Sequence, residues 1–169
     1  MNFLYKFFAI FVVAKRILIY TNFFSKIRVA TARMLGASIG EGVIIRPGVL
    51  LKGHKNISIN DDVFIGENTT IVAYGAKVTI GKKVLIADSV YISSRNHKFS
   101  DPYLDIIDQG YKSLDVIIED NVWLGHGSVV LSGSVLPKKT ILGANSVYTT
   151  KTKEDPSIHT TVIKKTKIR

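Results

Sequence analysis

Residues 57–92 read ISINDDVFIGENTTIVAYGAKVTIGKKVLIADSVYI. Isoleucine stands at positions 59, 65 and 71 and, after one break, at 80, 86 and 92, always in steps of six. Two residues before each comes a small or β-branched partner: Ile57, Val63 and Thr69, then Val78, Val84 and Val90. A period of six matches neither the 3.6-residue turn of a helix nor the simple alternation of a hairpin. It matches very short strands, each turning two side chains inward and ending at a corner.

The register runs on in both directions. Ile39, Ile45 and Leu51 precede it; Ile118, Leu124, Val130, Leu136, Leu142 and Tyr148 follow. Their partners are Ala37, Val43 and Val49, then Val116, Val122, Ser128, Ser134, Thr140 and Ser146. The steps 51→59, 71→80 and 92→118 exceed six by two, three and twenty residues, and each comes after three hexads. Three hexads close one triangular coil, so all three insertions leave from the same corner. About five coils at a strand spacing near 4.8 Å make a wall roughly 24 Å tall. The long insertion, residues 93–115, is an arm projecting from that corner, and long loops in compact repeats usually carry function.

The expected organisation is therefore an N-terminal helical segment over 1–35, an all-β parallel β-helix over 36–150 and a tail over 151–169. Charge follows these divisions. Of a net +10, residues 1–35 hold six basic residues and no acid, residues 150–169 hold six against Glu154 and Asp155, and the body carries eleven of each sign. A nucleic-acid binder would carry its basic stripe on the folded body. The chain has no cysteine, which excludes a disulfide scaffold, a thiolate metal site and a cysteine nucleophile.

The N-terminus reads MNFLYKFFAIFVVAKRILIYTNFF. Lys6 and Lys15–Arg16 cut its apolar run far short of the ~20 residues a spanning helix needs. The pattern fits one or two amphipathic helices lying in an anionic membrane interface. The alternatives are a helical cap on the open end of the coil and a signal peptide.

This six-residue pattern, with Ile39-Gly-Glu-Gly-Val-Ile-Ile-Arg-Pro-Gly, Asn96-His97 followed by Asp101-Pro102, and Val122-Trp-Leu-Gly, resembles the hexapeptide-repeat acyltransferases. Within them it looks like the maltose and galactoside O-acetyltransferase group, and most like the branch acting on capsule, colanic-acid or O-antigen sugars. The resemblance covers residues 35–150. It implies a left-handed coil, a homotrimer with sites between subunits, and acetyl-coenzyme A as co-substrate.

The same resemblance makes His97 the catalytic base. A neutral imidazole suits removal of a hydroxyl proton near neutral pH. Asp101 or Asp88 would orient it, and the sequence does not choose between them. Arg95 departs from the acid or small residue that the branch commonly shows near that place. Asn68, Asn96 and Asp101 are the expected acceptor contacts, with a corner residue and an Asp-Pro turn as the plain alternatives for Asn68 and Asp101. Main-chain N–H groups at Gly125 and His126 would face the thioester carbonyl. Trp123, between inward Val122 and Leu124, would pack on coenzyme A, with Ala144 and Thr149 along the pantetheine and Lys164, Lys165 and Lys167 at the phosphates. No resident metal is expected. A zinc hydratase on this scaffold needs three histidines, and only His97 and His126 lie in the relevant coils. The remaining rivals are an amino-sugar N-acetyltransferase and a non-catalytic membrane-associated scaffold. The expected location is cytoplasmic, at the inner face of the cell membrane.

Overall fold

The computed structural model describes residues 21–149. Within them, three parallel five-stranded sheets wind as a left-handed β-helix. The first face holds Ser38–Ile39, Ile57–Ile59, Val78–Ile80, Val116–Ile118 and Val135–Leu136. The second holds Ile44–Ile45, Phe64–Ile65, Leu85–Ile86, Trp123–Leu124 and Ile141–Leu142. The third holds Leu50–Lys52, Thr70–Val72, Tyr91–Ser93, Val129–Val130 and Val147–Tyr148.

The register is that of the hexads. Ile59 pairs with Ile80, Ile65 with Ile86, and Ile71 with Ile92, so like residues stack along the axis. These isoleucines are at most 1% exposed. The β-branched inward residues of the middle coils fill pleated, buried sites that suit their restricted rotamers. Each strand ends at a corner that needs a left-handed residue: Asp62, Asn68, Lys83, Ser89, Asn121, Lys139 and Asn145 all have φ between 55° and 61°. The insertions after 52, 72 and 93 all leave the third face toward the first, as the breaks in the period predict.

A single α-helix among the described residues, Asn22–Met34 (α1), lies across the first coil. Its buried face is made of small side chains, Ser25, Val29 and Ala32. The open edge of the first coil is closed by its side chains. Ile45 N–H donates to Ser25 Oγ at 2.9 Å, and Arg28 donates to the Ile45 carbonyl at 3.0 Å. Arg33 donates to the carbonyls of Ile39 at 3.0 Å and Gly40 at 2.8 Å. Unpaired edge groups are thereby satisfied. Burial first, and the neighbouring Arg46 guanidinium second, hold Arg28 below the usual arginine range. This helix therefore acts as the cap that the sequence offered as an alternative to membrane contact. Among the described residues no helix is long and apolar enough to cross a membrane. The rest of the N-terminal segment, 1–20, and the tail lysines Lys164, Lys165 and Lys167 lie outside the described residues.

Candidate active site

The arm is an antiparallel ribbon, not a featureless loop. Arg95–His97 pairs with Tyr111–Ser113, His97 standing opposite Tyr111 and Arg95 opposite Ser113. Its root is pinned where Leu114 N–H and Ser132 Oγ both donate to the Ser94 carbonyl, at 2.9 and 2.8 Å. Its tip is clamped by Gln109, which donates to the Asp101 and Leu104 carbonyls, both at 2.9 Å, and accepts from Asp101 N–H at 3.0 Å. The turn of 3₁₀ helix at Ile106–Gln109 then presents Tyr103, Ile106 and Ile107 to solvent.

Adjacent ribbon residues point to opposite faces. His97 and Arg95 share one face with Tyr111, and Asn96 and Lys112 share the other. The exposed His97 ring packs against Tyr111, with centroids 4.4 Å apart and planes inclined by 45°. Arg95 lies over the Tyr111 ring at 3.9 Å and over Tyr74 at 4.9 Å. The imidazole is thus placed by a stack, Tyr74–Arg95–Tyr111–His97, and the sequence reading missed its two tyrosines. The signal available was parity: Arg95 and His97 are two apart, and so is the Tyr111–Ser113 pair that faces them.

Neither proposed orienting carboxylate is directed at His97 by a hydrogen bond among the described residues. Asp101 Oδ1 accepts from Tyr103 N–H at 2.9 Å, an Asx turn of the plain kind. Asp88 Oδ1 accepts from Glu67 N–H at 2.7 Å, one coil below. Asn68 is a corner residue with φ 55°, and its Oδ1 fills the place that a side chain on Gly48 would need. It stands on the corner between the second and third faces, across the third face from the root of the arm.

Gly125, His126 and Ala144 lie at that same corner, Trp123 on the second face just before it, and Thr149 at the far end of the third face. Trp123 points outward from the second face, 47% exposed, in a ladder with Leu85 below and Ile141 above. Gly125 N–H donates to the Leu142 carbonyl at 2.8 Å, so it belongs to the coil and is not an open donor. Gly125 is required there by close approach, since a Cβ would sit 2.6 Å from Ala144 N. The open donor is the next one. Two coils below, Glu67 N–H is satisfied by the carboxylate of Asp88, the residue stacked above it. Above His126 stands Ala144, which has no side-chain acceptor, and no group among the described residues accepts from His126 N–H. Ala144 is exposed on the same column, and Thr149 is half-buried at the end of the last strand.

One chain therefore holds the two halves of the expected site apart. His97, the expected base, stands at the root of the arm, between the third and first faces. The tryptophan and the open donor stand on the second face and its far corner. Among the described residues no hydrogen bond or ring contact joins the ribbon to Trp123 or His126. No group of three histidine or acidic residues there could hold a metal.

A family model described as the hexapeptide repeat of succinyl-transferase matches residues 56–94 and 115–149, stopping where the arm begins and resuming where it ends. A hexapeptide-repeat acetyltransferase from Vibrio cholerae, solved with acetyl coenzyme A, is 30% identical with a TM-score of 0.66, covering 72% of this chain and 65% of that one. The galactoside O-acetyltransferase of Lactococcus lactis is 31% identical over 115 residues, 67% of this chain and 54% of the relative. The putative lipopolysaccharide biosynthesis O-acetyl transferase WbbJ of Escherichia coli is 33% identical over 123 residues, 66% and 59%. The chain thus spans a little over half the length of these two relatives.

Proposed function

The chain belongs to the hexapeptide-repeat family, and on that footing we propose that it is an acetyl-coenzyme A-dependent O-acetyltransferase. Its acceptor in this reading is a sugar of a cell-surface polysaccharide or of its lipid-linked precursor. The observation that carries it is His97: an exposed imidazole, held against Tyr111 on a ribbon that stands off a left-handed coil. The relatives named for sugar O-acetylation support the acceptor class.

In this mechanism His97 takes the proton of the acceptor hydroxyl. The freed oxygen attacks the thioester carbonyl, and a carbon–oxygen bond forms. The N–H of His126 stabilises the charge on the carbonyl oxygen, where one such donor is worth about 3 kcal/mol. The carbon–sulfur bond then breaks, and His97 returns its proton to the departing thiolate. No acyl-enzyme is needed, in keeping with a chain that has no cysteine. The outward Trp123 and the open corner at His126 and Ala144 fit the acyl-carrying arm of coenzyme A. The separation of that corner from His97 within one chain supports a homotrimer, in which the arm of one subunit reaches the corner of the next. Residues 1–20 carry Lys6, Lys15 and Arg16 and no acid, which supports peripheral contact with an anionic membrane face.

The test is acetyl transfer from acetyl-coenzyme A to cell-envelope glycan precursors, read by mass. His97→Ala should reduce transfer at least about 100-fold while leaving coenzyme A binding nearly intact. Near-normal turnover by folded His97→Ala protein would remove the mechanism.

A further inference from the structure

We propose that the arm face carrying Arg95 and His97 is a subsite for an anionic group, a carboxylate or a phosphate, on the acceptor sugar or joined directly to it. The inference rests on the acetyltransferase reading above and narrows its acceptor. It starts from what holds Arg95. The guanidinium carbon lies 3.9 Å from the Tyr111 ring centroid and 4.9 Å from that of Tyr74. Aromatic rings engage the flat faces of a guanidinium, whereas its N–H donors point outward in the plane. Among the described residues no carboxylate or carbonyl accepts from those donors. The group is half-buried and positioned, with its fork still open. An open, planar, fixed fork is suited to two parallel hydrogen bonds from one carboxylate or phosphate.

The placement says where such an anion belongs. Arg95 and His97 are on one face of the ribbon, and only the Tyr111 ring stands between them. An anion held by Arg95 therefore sits on the sugar whose hydroxyl meets His97, or on the group bonded next to it. The ribbon's charge agrees. Its root carries Arg95, Lys98 and Lys112 against one acid, Asp115, whose Oδ1 accepts from Lys77 N–H at 2.8 Å, whereas Asp101, Asp105 and Asp108 lie toward the tip. A negative acceptor is drawn to the root.

The experiment compares methyl galactoside, methyl galacturonide and galactose 1-phosphate as acceptors for the full chain and for Arg95→Met, which leaves a linear side chain between the two rings. Release of the coenzyme A thiol is followed. The wild-type kcat/KM for at least one charged acceptor should exceed that for the neutral one by about tenfold or more, the scale of a charge-assisted pair. Arg95→Met should bring that ratio close to one, and Arg95→Lys should restore part of it. Preference for the galacturonide assigns the anion to the sugar itself; preference for the 1-phosphate assigns it to the neighbouring linkage. A wild-type ratio near one, or a ratio that Arg95→Met leaves unchanged, overturns the subsite. If no acceptor is acetylated, binding of the same sugars to coenzyme A-loaded protein is measured by calorimetry. Charged sugars that bind wild type at least about tenfold tighter than Arg95→Met keep the subsite and sink the acetyltransferase reading. Equal binding by the two proteins sinks the subsite.

Discussion

Ser128→Ala should make this protein more stable. The Ser128 side chain points into the coil and is fully buried, yet among the described residues its hydroxyl has no hydrogen-bond partner. Thr69, at the equivalent place two coils below, solves the problem by donating to the Ala87 carbonyl at 3.1 Å. Val90, between them, avoids it by carrying no hydroxyl. A buried unsatisfied hydroxyl costs about 1–3 kcal/mol, set against the loss of a single oxygen's packing on removal. The net gain should be about 1 kcal/mol, which in a domain of this size raises Tm by about 2–4 °C. Thermal unfolding by far-ultraviolet circular dichroism reads the shift, with urea unfolding as a second measure. Ser146, also buried and without a hydrogen-bond partner among the described residues, stands on the same corner column and should respond in the same way. A fall in Tm for both variants would mean that these hydroxyls are satisfied in the native state, and the accounting would be wrong.

Trp123→Ala should raise the KM for acetyl-coenzyme A more than the KM for the acceptor, checked by initial rates with each substrate varied; equal effects would take Trp123 out of the coenzyme groove. Along the corner between the first and second faces, Lys82 bonds Asp61 at 2.9 Å and Lys138 bonds Asp120 at 3.2 Å. The Lys82 side chain first, then Glu41 N–H, hold Asp61 below its usual carboxylate value; Lys82 N–H first, then Lys138, do so for Asp120. Their contribution is present above the ordinary aspartate range near ~3.9 and is lost as pH falls through the lower folded values. Asp61→Asn with Asp120→Asn should flatten the acid side of the Tm–pH curve, measured from pH 6 downward. Asp61 raises Lys82 above the usual lysine range, so that contribution persists at neutral pH and fades only as pH rises through the folded value. A chain starting at residue 21 should keep its thermal stability, whereas one starting at residue 36 should unfold at lower temperature or aggregate. Co-sedimentation with anionic liposomes should be lost in both.

What the sequence displayed well was whatever depends on period. Hexads at Ile59, Ile65 and Ile71 and again at Ile80, Ile86 and Ile92 fix strand, face and coil at once, because a register slip of one residue would turn each isoleucine to solvent. The breaks showed the corner of the arm for the same reason. The site was less legible because its geometry depends on contacts between residues far apart in the chain. Tyr74 meets Arg95 across 21 residues and Arg95 meets Tyr111 across 16. Only the parity of each strand hints at such a stack, not the pairing of the two, and Arg95 registered only as a departure. Asp101 and Asn68 read equally well as ligands or as turn residues, since the same short polar side chains serve both; in the structure Asp101 holds an Asx turn and Asn68 a left-handed corner. Gly125 was read as a donor from its neighbourhood, but coil stacking commits its N–H to Leu142.

The N-terminal charge shows how a correct count can carry a wrong weight. Six basic residues without an acid in 1–35 suggest a surface attracted to anionic lipid, at about 1 kcal/mol for each one near the membrane. Arg28 and Arg33 are bonded to carbonyls of the first coil, and Arg33 also meets Glu41 at 3.0 Å. They close a sheet edge, and turning them toward lipid would leave those carbonyls unpaired. Lys26 lines the open groove beside Gly40 and Glu41 and is exposed. The membrane term therefore falls to Lys6, Lys15, Arg16 and Lys26, four of the six, with the apolar residues around them. Such a weak single anchor needs several copies acting together, so the membrane proposal and the trimer proposal stand or fall together more closely than the sequence alone suggests.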